Sequence, residues 1–240
     1  RHDPAIQRRQ ARRVRPLYGL GLLEAVPAET IRAMADPDDK NKDGISGRFL
    51  TFEGRIGRFG WKANHPTIES FVMDAFLHEL GVRPGEGAAI PEVVRNVVMA
   101  SRFMAPPKAN RPTEQTERGK QLFLKVGCGS CHTPTLKTGP ASSPALENIT
   151  IEAYSDMLLH DIGRGKELPT KPGQASRHEY RTPPLWGLGK LPPPFFHDHR
   201  AGTIEEAIDL HEGEALKVRD RYKALPREAR LDVLAFLRSL

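Results

Sequence analysis

The sequence predicts a mainly α-helical protein that is rich in loops. Apolar residues recur at helical spacing in several segments, whereas the alternation that is typical of strands is weak throughout. Glycine and proline contribute 21 residues each to the chain of 240, so much of the backbone should lie in turns and loops. Only 38% of the residues are hydrophobic, which indicates a modest core that a non-protein group could complete.

The N-terminal part of the chain is expected to contain several short helices. Residues 1–35 look helical, and residues 36–60, which are rich in Asp, Gly and Lys, should form an ordered loop. Residues 67–80 place apolar side chains at helical spacing and predict an amphipathic helix. A shorter helix is expected around residues 93–104.

A proline-containing linker over residues 105–112 separates two predicted domains. The first domain spans residues 1–112 and the second spans residues 113–240. The second begins with a predicted helix over residues 113–126.

The C-terminal domain is expected to be less regular. Residues 133–200 read mostly as loop, with one helix near residues 151–159. A capping box, in which Thr203 precedes Glu206 by three positions, predicts the start of another helix. Pro226 should start the last helix, because proline suits the first turn.

The formal net charge is +6, and part of the excess lies near the N-terminus. Five arginines fall within eight positions there: Arg8, Arg9, Arg12, Arg13 and Arg15. Such a run is expected to be a solvated face or an arm against an acidic neighbour. No aromatic residues interleave with the arginines, so we predict no nucleic-acid site.

The ends of the chain and its apolar runs bear on its cellular context. No apolar run approaches the ~20 residues that span a bilayer, so we expect no membrane span. The chain begins at Arg1 and lacks the apolar region of a signal peptide, so we expect a processed or partial product.

Cys128, Cys131 and His132 match the C-x-x-C-H pattern of c-type haem attachment. Two intervening residues let both sulfurs reach the two vinyl groups on one edge of a porphyrin, while the histidine turns under the iron. A thioredoxin-like redox pair would need a βαβ setting, which the sequence lacks. A structural zinc site would need further ligands with paired spacing. We therefore predict one covalent haem c.

The second axial ligand of that haem is less directly indicated. The downstream candidates are Met157, His160, His178, His197, His199 and His211. We favour His211, because it follows Ile204, Ala207 and Ile208 at helical spacing and closes an apolar stripe. The alternative is that His211 is an ordinary core histidine.

One loop also suggests a bound cation. It places oxygen-bearing side chains at alternate positions before a glycine: Asp39, Asn41, Asp43 and then Gly44. This arrangement is similar to the first half of an EF-hand loop and would suit Ca²⁺. The twelfth position is Leu50, which cannot ligate, and Glu53 is a possible substitute. The alternative is a solvated Asp/Asn turn.

Several motifs lie at residues 19–25, 43–48, 57–63, 158–161, 180–187, 196–198, 203–208 and 210–215. Together they resemble the di-haem oxidoreductase branch of the bacterial di-haem cytochrome c peroxidase and MauG superfamily. The resemblance covers nearly all of residues 15–240. Members of this branch are regarded as peroxidases or thiol oxidoreductases.

The resemblance implies two cytochrome c-like domains, each with a haem, separated by an ordered metal and a tryptophan. Trp61 fits that tryptophan as a catalytic residue, or is an ordinary core or interface residue. His211 sits where the peroxidases have a methionine and MauG has a tyrosine. Arg181 lies in a matching motif and is expected to contact the cofactor. The calcium of the superfamily is a second reason to consider the loop at Asp39.

The resemblance also implies that the first haem motif lies upstream of the position that matches Arg15. This chain has only the second motif. The first haem is therefore on a missing segment, on another chain, or lost. On this basis residues 1–112 are the C-terminal part of a first cytochrome c-like domain, and residues 113–240 are a cytochrome c haem domain.

We therefore expect a haem redox protein of the di-haem peroxidase type. Its haem would relay electrons to or from a reaction-site haem that reduces peroxide or oxidatively modifies a protein substrate. The alternative is a plain electron-transfer cytochrome, or a redox-complex subunit, with no catalytic activity of its own. Either function needs a redox partner protein. Because c-type haem is attached outside the bacterial cytoplasm, we expect a periplasmic location.

Overall fold

The computed structural model describes residues 13–82, 91–163 and 174–240. Helices dominate these ranges, and the strands are only two or three residues long. The helices are α1 Leu20–Glu24, α2 Ala28–Met34, α3 Ile68–His78, α4 Glu92–Phe103, α5 Glu114–Val126, α6 Ile204–Asp209, α7 Leu216–Lys223 and α8 Arg227–Ser239. The prediction of a mainly α-helical, loop-rich protein is confirmed.

The short strands form three antiparallel pairs. They are β1 Thr51–Phe52 with β2 Arg55–Ile56, β3 Leu136–Lys137 with β4 Thr150–Ile151, and β5 Leu159–Asp161 with β6 Glu179–Arg181. The last pair brings together two segments that are distant in sequence, with His160 opposite Tyr180.

The helices predicted over residues 67–80, 93–104 and 113–126 are confirmed as α3, α4 and α5. Thr67 and Thr113 explain two of the starting points. Each hydroxyl accepts a hydrogen bond from the backbone N–H three residues later, and the residue there returns the bond, which satisfies free N–H groups of the first turn.

The prediction that residues 1–35 are helical is confirmed only for α1 and α2, and residues 1–12 lie outside the described residues. Residues 13–17 are not helical. The predicted loop over residues 36–60 is confirmed apart from the β1–β2 hairpin.

The helix predicted near residues 151–159 is wrong. Residues 153–160 are all buried, whereas an amphipathic helix would leave one side exposed. The Ser155 hydroxyl accepts a hydrogen bond from Met157 N, and the Asp156 carboxylate accepts one from Leu158 N. These local bonds compete with a helix for the backbone N–H groups. Tyr154 and Met157 also have positive φ values of 49° and 64°, which a right-handed helix does not allow.

The core has two main parts. One part joins α1–α4 to the segment that carries β3, β4 and β5, and its buried members include Leu23, Ile31, Val94, Ile151 and Leu158. The other part packs α5, α6 and α8 around Phe123, Tyr222, Val233 and Phe236. The first part therefore contains side chains from both sides of residue 112. The predicted boundary between residues 1–112 and 113–240 stays a prediction.

The close crossing of α5 and α8 positions the Cys128–His132 segment. A Cβ at Gly119 would lie 2.0 Å from the carbonyl oxygen of Asp232, so only glycine allows this approach. One turn further along, the rings of Phe123 and Phe236 pack edge to face with centroids 5.4 Å apart. The end of α5 is thus fixed against the core.

Candidate functional site

A largely apolar cavity of about 270 Å³ lies where the two parts of the core meet. Its lining includes Trp61, Cys128, Cys131, His132, Arg181 and His211. The structure therefore brings the cysteines, both favoured histidines, the tryptophan and the arginine of the sequence analysis to one space. The cation loop does not line it.

The two cysteines sit on a tight turn after α5. Gly127 ends that helix with φ of 101°, a left-handed conformation that glycine adopts without steric cost. A short 3₁₀ turn, Cys128–Ser130, follows. The two sulfurs form no disulfide, and burial raises the pKa of the Cys128 thiol to about 12.

His132 is oriented by the backbone. Its Nδ1 lies 3.0 Å from the carbonyl oxygen of Tyr154, so Nδ1 carries the proton and donates it. Burial lowers the pKa of His132 to about 4, although the Tyr154 carbonyl opposes the shift. The ring is therefore neutral at pH 7, and Nε2 has a free lone pair.

His211 is also oriented by a backbone carbonyl and is also neutral. Its Nδ1 lies 2.7 Å from the carbonyl oxygen of Ala207, and burial lowers its pKa. The capping prediction for α6 is half right: Thr203 accepts from Glu206 N, but the Glu206 carboxylate accepts from Gly202 N. Helix α6 ends at Asp209, so His211 follows the helix and its ring reaches back to it.

The other predicted ligand candidates are placed differently. Met157 is fully buried but does not line the cavity. His160 has both ring nitrogens within 2.9 Å of carboxylates, so neither is available to a metal. The Nδ1 of His178 bonds to Gly163 O, away from the cavity. His197 lines the cavity and stacks on Tyr180 with ring centroids 3.7 Å apart.

Trp61 is enclosed by backbone and by a cation. Its Nε1 donates to Arg13 O at 2.8 Å, and its own carbonyl accepts from Arg181 N at 2.8 Å. The Arg15 guanidinium lies 3.8 Å from the indole ring centre, within the range of a cation–π interaction. Trp61 therefore has a fixed orientation at the cavity wall.

Arg15 is a site residue that the sequence analysis placed on a solvated face or arm. It is half-buried, and its Nε is buried with no hydrogen-bond partner among the described residues. Arg181 is only 2% exposed. Burial lowers the pKa of both groups, that of Arg181 to about 10. No sequence signal separated Arg15 from its neighbours, because its burial depends on the distant Trp61 and Arg181.

The cation loop is folded by its own side chains. Asp39 accepts from Gly44 N, Asn41 accepts from Asp43 N, and Asp43 accepts from Ile45 N. The Asn41 amide also donates to the Asp43 carboxylate at 3.2 Å. These bonds are typical of Asx turns, the alternative that the sequence analysis kept open.

Comparison with known families adds to this geometry. The sequence model of the family described as "Di-haem oxidoreductase, putative peroxidase" matches residues 7–92 and 83–240. The chain belongs to this di-haem oxidoreductase family. Membership implies haem c as the cofactor and a haem redox function in general terms.

Two solved structures were compared with this di-haem oxidoreductase chain. A MauG-like protein associated with microbial copper homeostasis has a TM-score of 0.50 at 17% identity, covering 98% of this chain and 93% of that one. The likeness shows the fold. Kuenenia stuttgartiensis hydrazine synthase has a TM-score of 0.42 at 20% identity. That match covers 64% of this chain and 56% of the other, so the chain spans little more than half of that protein's length. No curated protein matches the sequence.

The residues present fit a haem. The cavity wall is mainly apolar, as the porphyrin faces require, and it carries two thiols and two neutral imidazoles. At the same cavity, Arg15 and Arg181 form no ion pair with a carboxylate of the described residues. Buried cations of this kind need anionic partners, and the two propionates of a haem would supply them.

None of the helices in the described residues combines the length and the apolar character that crossing a bilayer requires.

Proposed function

We propose that this chain carries one covalent haem c, attached through Cys128 and Cys131 and ligated by His132 and His211. The main support for this proposal is that the two histidines are hydrogen-bonded in the same way. Each directs Nδ1 to a backbone carbonyl, which leaves Nε2 as the lone-pair donor. Ligating histidines are commonly fixed in this way by a second hydrogen bond. Both rings line the cavity that holds the cysteines.

This ligation supports a relay function for the haem. When bound, the haem supplies one-electron chemistry by cycling between ferric and ferrous iron. Because His132 and His211 would both ligate the iron, this chain would leave no coordination position for peroxide. The residues of this chain would therefore bind and orient the haem and exclude water from it.

Trp61 is the proposed route for electron transfer between this chain's haem and a reaction-site haem. Its indole lies at the cavity wall, and its position is fixed by the bonds to Arg13 O and from Arg181 N. The His197 ring is 6.1 Å from it, and Tyr180 stacks on His197. The reaction-site haem would lie on a redox partner or another segment, where peroxide is reduced or a protein substrate is modified.

A plain electron carrier is the second candidate function, and the same two axial ligands favour it. The two candidates are distinguished by adding peroxide to the haem-loaded chain with and without its upstream segment or partner. Peroxide consumption that needs both components, and that Trp61→Phe reduces strongly, supports the relay. No consumption in any combination supports the carrier.

The axial ligation is tested first in the haem-loaded chain. Denaturing mass spectrometry should find the chain heavier by one haem, and the iron should be six-coordinate and low-spin. His211→Ala should open one position, shift the iron to high spin and allow cyanide to bind. His178→Ala serves as the matched control and should change none of these.

Two results would overturn the assignment. An unmodified mass with two alkylatable thiols would remove the haem itself. A low-spin spectrum in His211→Ala, together with its loss in His197→Ala or His160→Ala, would leave the haem but move the ligand.

A bound cation at Asp39, Asn41 and Asp43 is proposed for the same protein. A cation that binds only the folded state would raise the melting temperature. We expect chelation to lower it, and Asp43→Ala to abolish that effect. Asp38→Ala, in the same loop, is the control. If chelation changes neither the bound metal nor the melting temperature of the parent protein, the loop is only an Asx turn.

The periplasm is the proposed compartment, because covalent haem attachment takes place outside the bacterial cytoplasm. Expression with and without export to the periplasm tests this: haem-loaded protein should accumulate only after export.

A further inference from the structure

His160 lies between two carboxylates in the interior of the protein. Its Nε2 is 2.8 Å from an Asp156 carboxylate oxygen, and its Nδ1 is 2.9 Å from a Glu214 carboxylate oxygen. The histidine side chain is 3% exposed, and those of Asp156 and Glu214 are 2% and 14% exposed. The proposed ligand assignments do not use this buried ionic group.

The geometry fixes the charge of His160. Both ring nitrogens face acceptors, so both carry protons and the ring is an imidazolium. Burial by itself lowers the pKa of His160, but the hydrogen bonds to Asp156, Cys131 and Glu214 outweigh that effect and raise it. The group therefore consists of one cation held by two anions, and breaking it by removing one member leaves an uncompensated buried charge.

The group joins three segments of the chain. Asp156 donates its backbone N–H to the carbonyl of Cys131, within the haem-attachment motif. Glu214 follows His211 by three residues. Its carboxylate also accepts from Ser46 N, Ser46 Oγ and Asp161 N, so hydrogen bonds from three residues hold it in place.

The fit around the imidazole is close. A Cβ at Gly47 would lie 2.7 Å from Cε1 of His160, so the absence of a side chain there gives the ring its place. Gly47 has no positive φ, so an alanine would meet only steric contacts, with the His160 ring and with Leu158 Cδ1 at 2.9 Å. This glycine offers a way to displace His160 without changing any charge.

The same group is not a second metal site in the haem-loaded protein. The ligand atoms of Cys131, Asp156 and His160 lie within 4.8 Å of one another, a spacing that could suit an ion. However, the Cys131 sulfur would be a thioether once haem is attached, and both ring nitrogens of His160 are bonded to carboxylates.

We propose that His160 is a positioning residue. Its ion pairs with Asp156 and Glu214 hold the segment that carries His211 against residues 156–160, and the Asp156 N–H bonds those residues to the segment that carries Cys131 and His132. The inference rests on the proposed ligation by His132 and His211. Removing a residue that hydrogen-bonds to or orients a metal ligand typically lowers metal affinity or activity by roughly 10- to 100-fold. Losing the ionic group should therefore loosen His211 from the iron while haem attachment persists.

The test uses the full haem-loaded chain with His160→Gln, Glu214→Gln and Gly47→Ala. Each variant should keep one covalent haem by mass. Each should show a mixture of low-spin and high-spin iron by electron paramagnetic resonance, and cyanide should bind roughly 10-fold faster than to the parent protein. Gly47→Ala should have the same effect on the spin state and on cyanide binding, although it retains every charged side chain of the ionic group. If His160→Gln does not fold, the other two variants decide.

Glu24→Gln is the matched control. Glu24 also accepts a backbone N–H, that of Ile68 at 2.8 Å, and pairs with Arg102 at 3.2 Å, but it does not line the cavity. It should lower the melting temperature and leave the spin state and cyanide kinetics unchanged. A merely structural role of His160 would give the same pattern in the His160 and Glu214 variants.

The outcomes separate the two proposals. If His211→Ala becomes high-spin while His160→Gln, Glu214→Gln and Gly47→Ala retain the parent spectrum and cyanide kinetics, the positioning role is wrong and the ligation stands. If His211→Ala itself stays low-spin, the ligation is wrong. Faster cyanide binding in the three variants but not in Glu24→Gln supports the positioning role.

Discussion

His65 is a histidine whose surroundings oppose its charge. Its side chain is 18% exposed and packs on Phe71. Burial lowers its pKa from the ordinary 6.5, and the positive charge of His78 adds to this, although Asp74 opposes the shift. The unfolded chain therefore binds more protons than the folded chain just below pH 6.5. The free energy of unfolding should fall as the pH drops from about 6.5 toward 5.

His65→Gln should reduce that slope, because the variant has no group to protonate at this position. Urea unfolding of the haem-loaded chain at several pH values measures it. His199→Gln is the control, since His199 is exposed. An unchanged slope in His65→Gln would contradict the prediction.

At the residue scale, the sequence could predict the haem motif because its chemistry is local. Cys128, Cys131 and His132 lie within five positions, and their spacing alone favours haem attachment. Arg15 could not be assigned in this way. Its contacts are Trp61 and Arg181, 46 and 166 positions away in the sequence, so its burial is a property of the folded chain.

The close crossing of α5 and α8 depends on the absence of a side chain at Gly119. Gly119→Ala would place a methyl group against the Asp232 carbonyl and within 2.8 Å of the Phe236 Cβ. Since neither helix can yield without disturbing the core, we expect a loss of about 1–3 kcal/mol in the free energy of unfolding. Chemical denaturation measures this loss.

Gln121→Ala is the matched substitution on the same helix. Gln121 is exposed, and alanine is the better helix former, so stability should be unchanged or slightly higher. Equal stability of Gly119→Ala and the parent protein would mean that the helices separate at little cost.

At the element scale, the sequence predicted α3, α4 and α5 because their residues alternate between a buried and an exposed side. The segment over residues 151–159 has apolar residues in similar number, yet it is irregular, with positive φ at Tyr154 and Met157. Its Ser155 and Asp156 bond to nearby backbone N–H groups, and both of its faces are covered. Periodicity cannot detect a segment that is buried on all sides.

The two halves of the whole molecule share part of one core. Val94 and Ile31 pack in the same cluster as Leu136 and Leu158, which follow the predicted boundary at residue 112. Separating the halves would expose these side chains to water at a cost of about 25 cal/mol per Å² of apolar surface. We therefore expect the haem-loaded chain to unfold in one cooperative transition.

Calorimetry of two variants tests this cooperativity. Val94→Ala and Val233→Ala each remove methyl groups from a fully buried position, one in each half. Each should destabilise by about 2 kcal/mol and lower the midpoint of the same single transition. Two transitions, with each variant shifting only one, would instead support independent domains over residues 1–112 and 113–240.

At this scale the sequence predicted the class of fold but not how the halves meet. The proline-containing linker at residues 105–112 is a local feature, and it correctly follows the end of α4. The shared core forms because residues 136–158 pack against α1–α4. No local sequence pattern predicts such a long-range contact.

Cys128 and Cys131, the proposed attachment residues, are partly buried, and this has a consequence for the order of biosynthetic events. The thiolate is the reactive form of cysteine, and burial raises the pKa of Cys128 to about 12, so the folded, haem-free chain holds almost no thiolate there at neutral pH. A porphyrin would also have to enter the cavity, whose lining includes Trp61 and residues of α5 and α8. Thioether formation should therefore precede the completion of folding. A chain that folds before haem attachment should no longer accept the haem.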